Sequence, residues 1–150
     1  MAEAAQSPTA GGSAGRERPL SPHIQIYRRS IHMVMSIMHR ITGAALYLGT
    51  LLLAAWLMAA AMGPGPFAVL NGIASSLLGK LVLLGYSWAL IHHMFGGIRH
   101  LIWDTGRGLD LASVRTISWA TIIGSLIVTL AIWLLAAWSA GGLFLNGGPL

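Results

Sequence analysis

Residues 41–62 read ITGAALYLGTLLLAAWLMAAAM, without one charged side chain, and run into the cluster Gly63-Pro64-Gly65-Pro66. A helix needs about 20 apolar residues to cross the hydrocarbon core of a bilayer, so this run is long enough to span it. Proline removes a backbone donor and glycine supplies turn conformations, which ends the helix at the cluster. A second uncharged run, LVLLGYSWALIHHMFGGI, fills residues 81–98. A third begins near Ser113, carries no charge after Arg115 and continues past Trp138 to Gly141 and Gly142. Three such runs predict an all-α integral membrane protein with three transmembrane helices.

Composition points the same way. With 55% hydrophobic and 9% charged residues in a chain of 150, there is too little polar surface to coat a soluble globule. Cysteine is absent, which excludes disulfides and the thiolate ligands of ordinary iron–sulfur clusters, so any such cluster belongs to a partner. The formal charge of +5 does not mark a nucleic-acid binder, because the basic residues flank apolar runs and form no soluble basic face.

Topology accounts for those charges better. Arg16, Arg18, Arg28, Arg29 and Arg40 precede or enter the first span, Arg99, Arg107 and Arg115 fall between the second and third, and Lys80 alone falls between the first and second. The positive-inside rule then makes the amino terminus and the second connection cytoplasmic. Residues 1–17, rich in Ala, Gly, Ser and Pro, read as a disordered tail ahead of a membrane domain over residues 18–150. The stretch from Met1 to about Gly15 lacks the arginines of a mitochondrial transit peptide, so a bacterial inner membrane is expected. Between Pro19 and Arg40, prolines, basic residues and scattered Ile and Met predict an amino-terminal interfacial segment anchored by Tyr27. Gly106 and Gly108 predict a turn after the second helix.

Six histidines stand out in so apolar a chain: His23, His32, His39, His92, His93 and His100. An ionisable residue inside a membrane is a functional-site candidate by default. His93 and His100 share a helix face two turns apart, about 10.5 Å along the axis, so they cannot take opposite axial positions on one haem iron. Haem held by either needs a second ligand from another chain or, less readily, from a histidine of the interfacial segment. A histidine that simply hydrogen-bonds a neighbouring helix fits the pattern as well, and Gly96 with Gly97 admits either a flat macrocycle or a close helix. Ser36, Arg40 and Gly43 form an i, i+4, i+7 stripe with His39 beside it. A hydroxyl, a permanent cation and an imidazole at the membrane surface suit a quinone carbonyl or a haem propionate; snorkelling by Arg40 and helix packing by Ser36 suit the same spacing. The six tryptophans fall mostly near span ends, as interfacial belts do, and the methionines fit packing better than ligation.

Three blocks resemble one family, the cytochrome b membrane-anchor subunit of succinate dehydrogenase, respiratory complex II. They are Arg18-Pro19-Leu20-Ser21-Pro22-His23-Ile24-Gln25-Ile26-Tyr27, Ser36-Ile37-Met38-His39-Arg40-Ile41-Thr42-Gly43, and His93-Met94-Phe95-Gly96-Gly97-Ile98-Arg99-His100-Leu101-Ile102-Trp103-Asp104. In the third, a histidine precedes Gly-Ile-Arg-His by four positions. The resemblance implies that His93 is an axial ligand of haem b, with His92 an additional neighbour, and that Ser36 and Arg40 line a ubiquinone pocket. It places His39, Arg40 and His100 near the haem propionates, with Asp104 a further candidate. It also implies a second membrane-anchor subunit supplying the other axial ligand, an iron–sulfur subunit and a flavoprotein subunit, with succinate oxidised outside this chain. The contrasting expectation is a non-redox three-helix transporter or assembly subunit in which the histidines make helix contacts.

Overall fold

The computed structural model describes Pro22 and residues 26–139; the expected tail at residues 1–17 and His23 lie outside them. Among the described residues the only regular elements are four helices: α1 (Ile31–Met62), α2 (Pro64–Ser75), α3 (Leu77–Asp104) and α4 (Leu111–Ser139). Helices α1, α3 and α4 are the three membrane spans. Helices α1 and α3 are longer than their uncharged runs. At about 1.5 Å per residue, a helix of 32 residues such as α1 reaches about 48 Å, beyond a hydrocarbon core of about 30 Å. The stretch Ile31 to Arg40, read from the sequence as part of the interfacial segment, is therefore continuous helix, and its polar residues sit where α1 emerges from the apolar layer.

The break after α1 is at Gly63, whose φ of 113° is a conformation that side chains rarely adopt. Pro64 then starts a new helix at a position where the missing N–H costs nothing. The Gly-Pro cluster ends α1 as its sequence predicts, and it also begins α2, because a proline at a first helical turn permits the helix that it would break further in. Trp56 fastens α2 to the end of α1, donating from Nε1 to Asn71 Oδ1 at 3.1 Å and meeting the Phe67 ring at 5.5 Å. Ser76 turns the chain into α3, its hydroxyl accepting from the Gly79 amide at 3.1 Å. Between α3 and α4, Gly106 and Gly108 take φ of 74° and 68°, as expected for the turn. Trp103 Nε1 donates to the Gly108 carbonyl at 3.1 Å, and Asp110 caps α4 by accepting from the Ser113 amide at 2.9 Å.

The bundle is polar inside and apolar outside. Its buried residues include Thr42, His92, Arg99, Ser118, Thr121, Ser125 and Thr129, whereas most of the Leu, Ile and Trp side chains face outward. Lipid tails are as apolar as leucine, so nothing drives such side chains inward, and the interfaces select small residues and hydrogen-bonding ones. Gly49 receives the Tyr86 ring, and a Cβ on Gly124 would stand 3.0 Å from Phe95.

Candidate functional site

His93 projects from α3 onto α1. Its ring lies over Gly43, where a Cβ would stand 3.0 Å from Cε1. Nδ1 is 3.1 Å from the main-chain oxygen of His39 and 3.3 Å from Thr42 Oγ1. The Thr42 hydroxyl spends its own proton on the carbonyls of Met38 and His39, at 2.9 and 3.0 Å. Nδ1 therefore meets two acceptors and must be the protonated nitrogen, which leaves the lone pair on Nε2. An imidazole that donates through one nitrogen to a carbonyl and offers the other as a base is the arrangement metal-ligating histidines adopt.

His39 gathers the remaining parts. Its ring stacks on His93 at 3.9 Å and an interplanar angle of 6°, and meets His100 at 5.3 Å. It occupies the space left by the missing side chain of Gly96. Gly97 does something different: a Cβ there would meet nothing within 4 Å, so the α3 surface one turn beyond His93 is open. His100 is exposed and meets the Trp103 ring edge-on at 5.3 Å.

His92 points the other way. It is 1% exposed, its Nδ1 lies 3.2 Å from Ser125 Oγ on α4, and its Nε2 is enclosed within the bundle. Neighbours on a helix project about 100° apart, and here that difference separates the bundle interior from the α1 face. Ser36 and Arg40 are exposed side chains on α1, one turn apart, near the helix end that carries His39. Asp104 is also exposed. The structure thus brings His39, His93 and His100 together, and leaves Ser36 and Arg40 on an outward face.

One placement needs correction. Arg99, counted in the connection between the second and third spans, lies within α3 and is 2% exposed, with its guanidinium 5.0 Å from the Trp103 ring. Helix α3 continues beyond Ile98 because Arg99 turns inward and needs no exit to water. Sequence reasoning also passed over Thr42 and Ser125. The second had a visible signal: Ser118, Thr121, Ser125 and Thr129 repeat at helical spacing in an otherwise apolar span.

The arrangement was tested against a haem. His93 Nε2 is a neutral base, and the ring is held from behind by Thr42 and the His39 carbonyl. The open surface at Gly97 leaves room for a flat group beside it. These residues fit one axial position. Among the described residues no three His, Cys, Asp or Glu side chains gather to hold a bare metal ion.

Residues 14–145 match the family model described as succinate dehydrogenase/fumarate reductase transmembrane subunit. The chain belongs to that family. A relative from Paracoccus denitrificans, the succinate dehydrogenase cytochrome b556 subunit, is 45% identical over 111 residues, which are 74% of this chain and 85% of the relative. The protein of the same name from Rickettsia felis is 34% identical over 117 residues, 78% of this chain and 91% of the relative. A mitochondrial relative from Sus scrofa, the cytochrome b560 subunit, is 45% identical over 102 residues, 65% of this chain and 59% of the relative. For a transmembrane subunit the inside-out polarity is expected, since lipid is as apolar as the side chains that face it.

Proposed function

We propose that this chain is the membrane-anchor cytochrome b subunit of a bacterial succinate dehydrogenase, that His93 Nε2 is one axial ligand of a haem b shared with a second membrane subunit, and that Ser36 and Arg40 bind ubiquinone. The observation that carries the haem part is the pair of acceptors at His93 Nδ1. His39, Arg40 and His100 are assigned to the propionate edge, since they cluster at the same end of the bundle. Haem b, if bound, would supply one-electron redox chemistry. The chain's own residues do the rest: Thr42 and the His39 carbonyl orient the ligand ring, and Gly97 keeps the approach clear. Arg40 offers charge, and Ser36 a hydroxyl, to the quinone oxygens where negative charge develops.

With no cysteine of its own, the chain depends on an iron–sulfur subunit and a flavoprotein subunit for succinate oxidation and electron delivery. It contributes no succinate-oxidising site. Charge supports a cytoplasmic amino terminus and a docking face on that side: Arg28, Arg29, Arg40, Arg107 and Arg115 lie at one end of the spans and Lys80 at the other. A single cysteine introduced at position 107 should label from the cytoplasmic side; labelling from outside reverses the topology.

The decisive experiment compares His93→Ala with His92→Ala in the assembled complex. The first should abolish or strongly perturb the low-spin b-type spectrum. The second, which removes contacts inside the bundle, among them those to Ser125 and Trp88, should change it less. A normal spectrum in His93→Ala would overturn the assignment.

A further inference from the structure

Four buried nitrogens in the bundle interior gather within about a turn of Gly96. They are Nδ1 of His39, packed directly on Gly96, Nε2 of His92, four residues before it, and Nε and Nη1 of Arg99, three residues after it. None has a hydrogen-bond partner. A buried polar group without a partner is destabilising, and a charged one more so, so this concentration in a membrane protein calls for an occupant. No carboxylate is at hand: Asp104 and Asp110, the acidic residues among those described, are both exposed.

Helix α4 presents matching acceptors. The His92–Ser125 contact fixes an antiparallel register. Four residues along in opposite directions, Gly96 stands level with Thr121; seven along, Arg99 stands level with Ser118. Thr121 and Ser118 are 4% and 0% exposed. Their hydroxyls donate to their own helix, at Ile117 and Val114, which leaves oxygen lone pairs facing α3. Ser125 does the same, donating to Ile122 at 2.9 Å. His92 Nδ1 must then be the donor to Ser125, and His92 Nε2 carries a lone pair.

We propose that the interior around Gly96 is a water-binding site, in which a small cluster of water molecules joins the Arg99 guanidinium to His92 Nε2 and to the hydroxyl oxygens of Ser118 and Thr121. Arg99 is donor-only, and His92 Nε2 is an acceptor. Water answers both, accepting from the first and donating to the second, whereas an anion satisfies Arg99 but is repelled by the His92 lone pair. The Arg99 guanidinium faces the Trp103 ring at 5.0 Å, a contact that leaves Nε and Nη1 without an acceptor. The cluster holds a fixed positive charge inside the membrane. It also ties α4 to α3.

The test is a map of the assembled wild-type complex by electron cryomicroscopy, at a resolution that shows ordered water. Density is expected within hydrogen-bonding distance of Arg99 Nε or Nη1, leading in hydrogen-bond steps to His92 Nε2. Loss of that density is expected in Arg99→Met. The inference is overturned if the Arg99 nitrogens donate directly to a protein, lipid or haem oxygen, if a single ion sits among N–H donors apart from His92, if the space is dry, or if the density survives in Arg99→Met. The wild-type map decides even if the variant fails to assemble, and none of these outcomes depends on which histidine ligates iron.

Discussion

His93 on α3 and Thr42 on α1 meet through Nδ1 and Oγ1 at 3.3 Å, across a helix interface that also brings Nδ1 to the His39 carbonyl at 3.1 Å. The threonine acts on the imidazole from behind, so its effect reaches whatever Nε2 binds.

Replacing Thr42 by valine keeps the shape and removes one of the two acceptors at Nδ1. The His39 carbonyl remains, so the ring should stay in place but be held less firmly and be less basic. Haem retention is expected to weaken by about 10-fold, the low end for loss of such a partner, with a shifted low-spin spectrum. Haem content after graded detergent washing measures this, and retention equal to wild type would show that Thr42 plays no part.

Ser36→Ala and Arg40→Ala should slow electron delivery to ubiquinone, since developing charge on the quinone oxygens loses a donor or a cation. Succinate oxidation with an artificial acceptor that draws electrons before the membrane should persist in the same preparations. Parallel loss of both activities would assign these residues to packing and anchoring; unchanged ubiquinone kinetics would rule out the site.

Gly96 and Gly97 separate helix packing from haem accommodation. A Cβ at position 96 overlaps the His39 ring, so Gly96→Ala should destabilise the bundle by about 1–3 kcal/mol, read as a lower unfolding temperature of the complex in detergent. Position 97 is open. Gly97→Leu should leave the packing of this chain intact yet lower the haem-to-protein ratio. An unchanged ratio would remove the macrocycle from that surface.

Asp110 gives a pH dependence with a definite sign. The side chain and amide of Ser113 hold its carboxyl below the usual carboxylate range. A group whose folded pKa is depressed stabilises the folded state above its unfolded pKa, about 3.9 for aspartate, and loses that contribution as pH falls through the folded value. Asp110→Ala should therefore lower the unfolding temperature at pH 7, and the gap to wild type should close below about pH 4. A gap that is constant with pH would mean that the carboxylate charge is not what caps α4.

The sequence by itself determined the membrane and the number of crossings, because lipid selects on the length of uncharged chain and on charge at its ends, both local properties of residues 41–62, 81–98 and 113–139. It also pointed to the turn at Gly106 and Gly108. It could not show α2, whose prolines read equally well as a terminator or as a first turn. Nor could it separate His92 from His93: adjacent in the chain, one faces Ser125 inside the bundle and the other faces His39 and Thr42 on α1. That difference is set by the rotation of α3 against its neighbours, which rests on contacts far apart in sequence, such as Tyr86 against Gly49 and Phe95 against Gly124. Arg99 shows the same limit: at the end of an apolar run a cation looks like the way out to water, and only the packing of α1, α3 and α4 around it turns it inward.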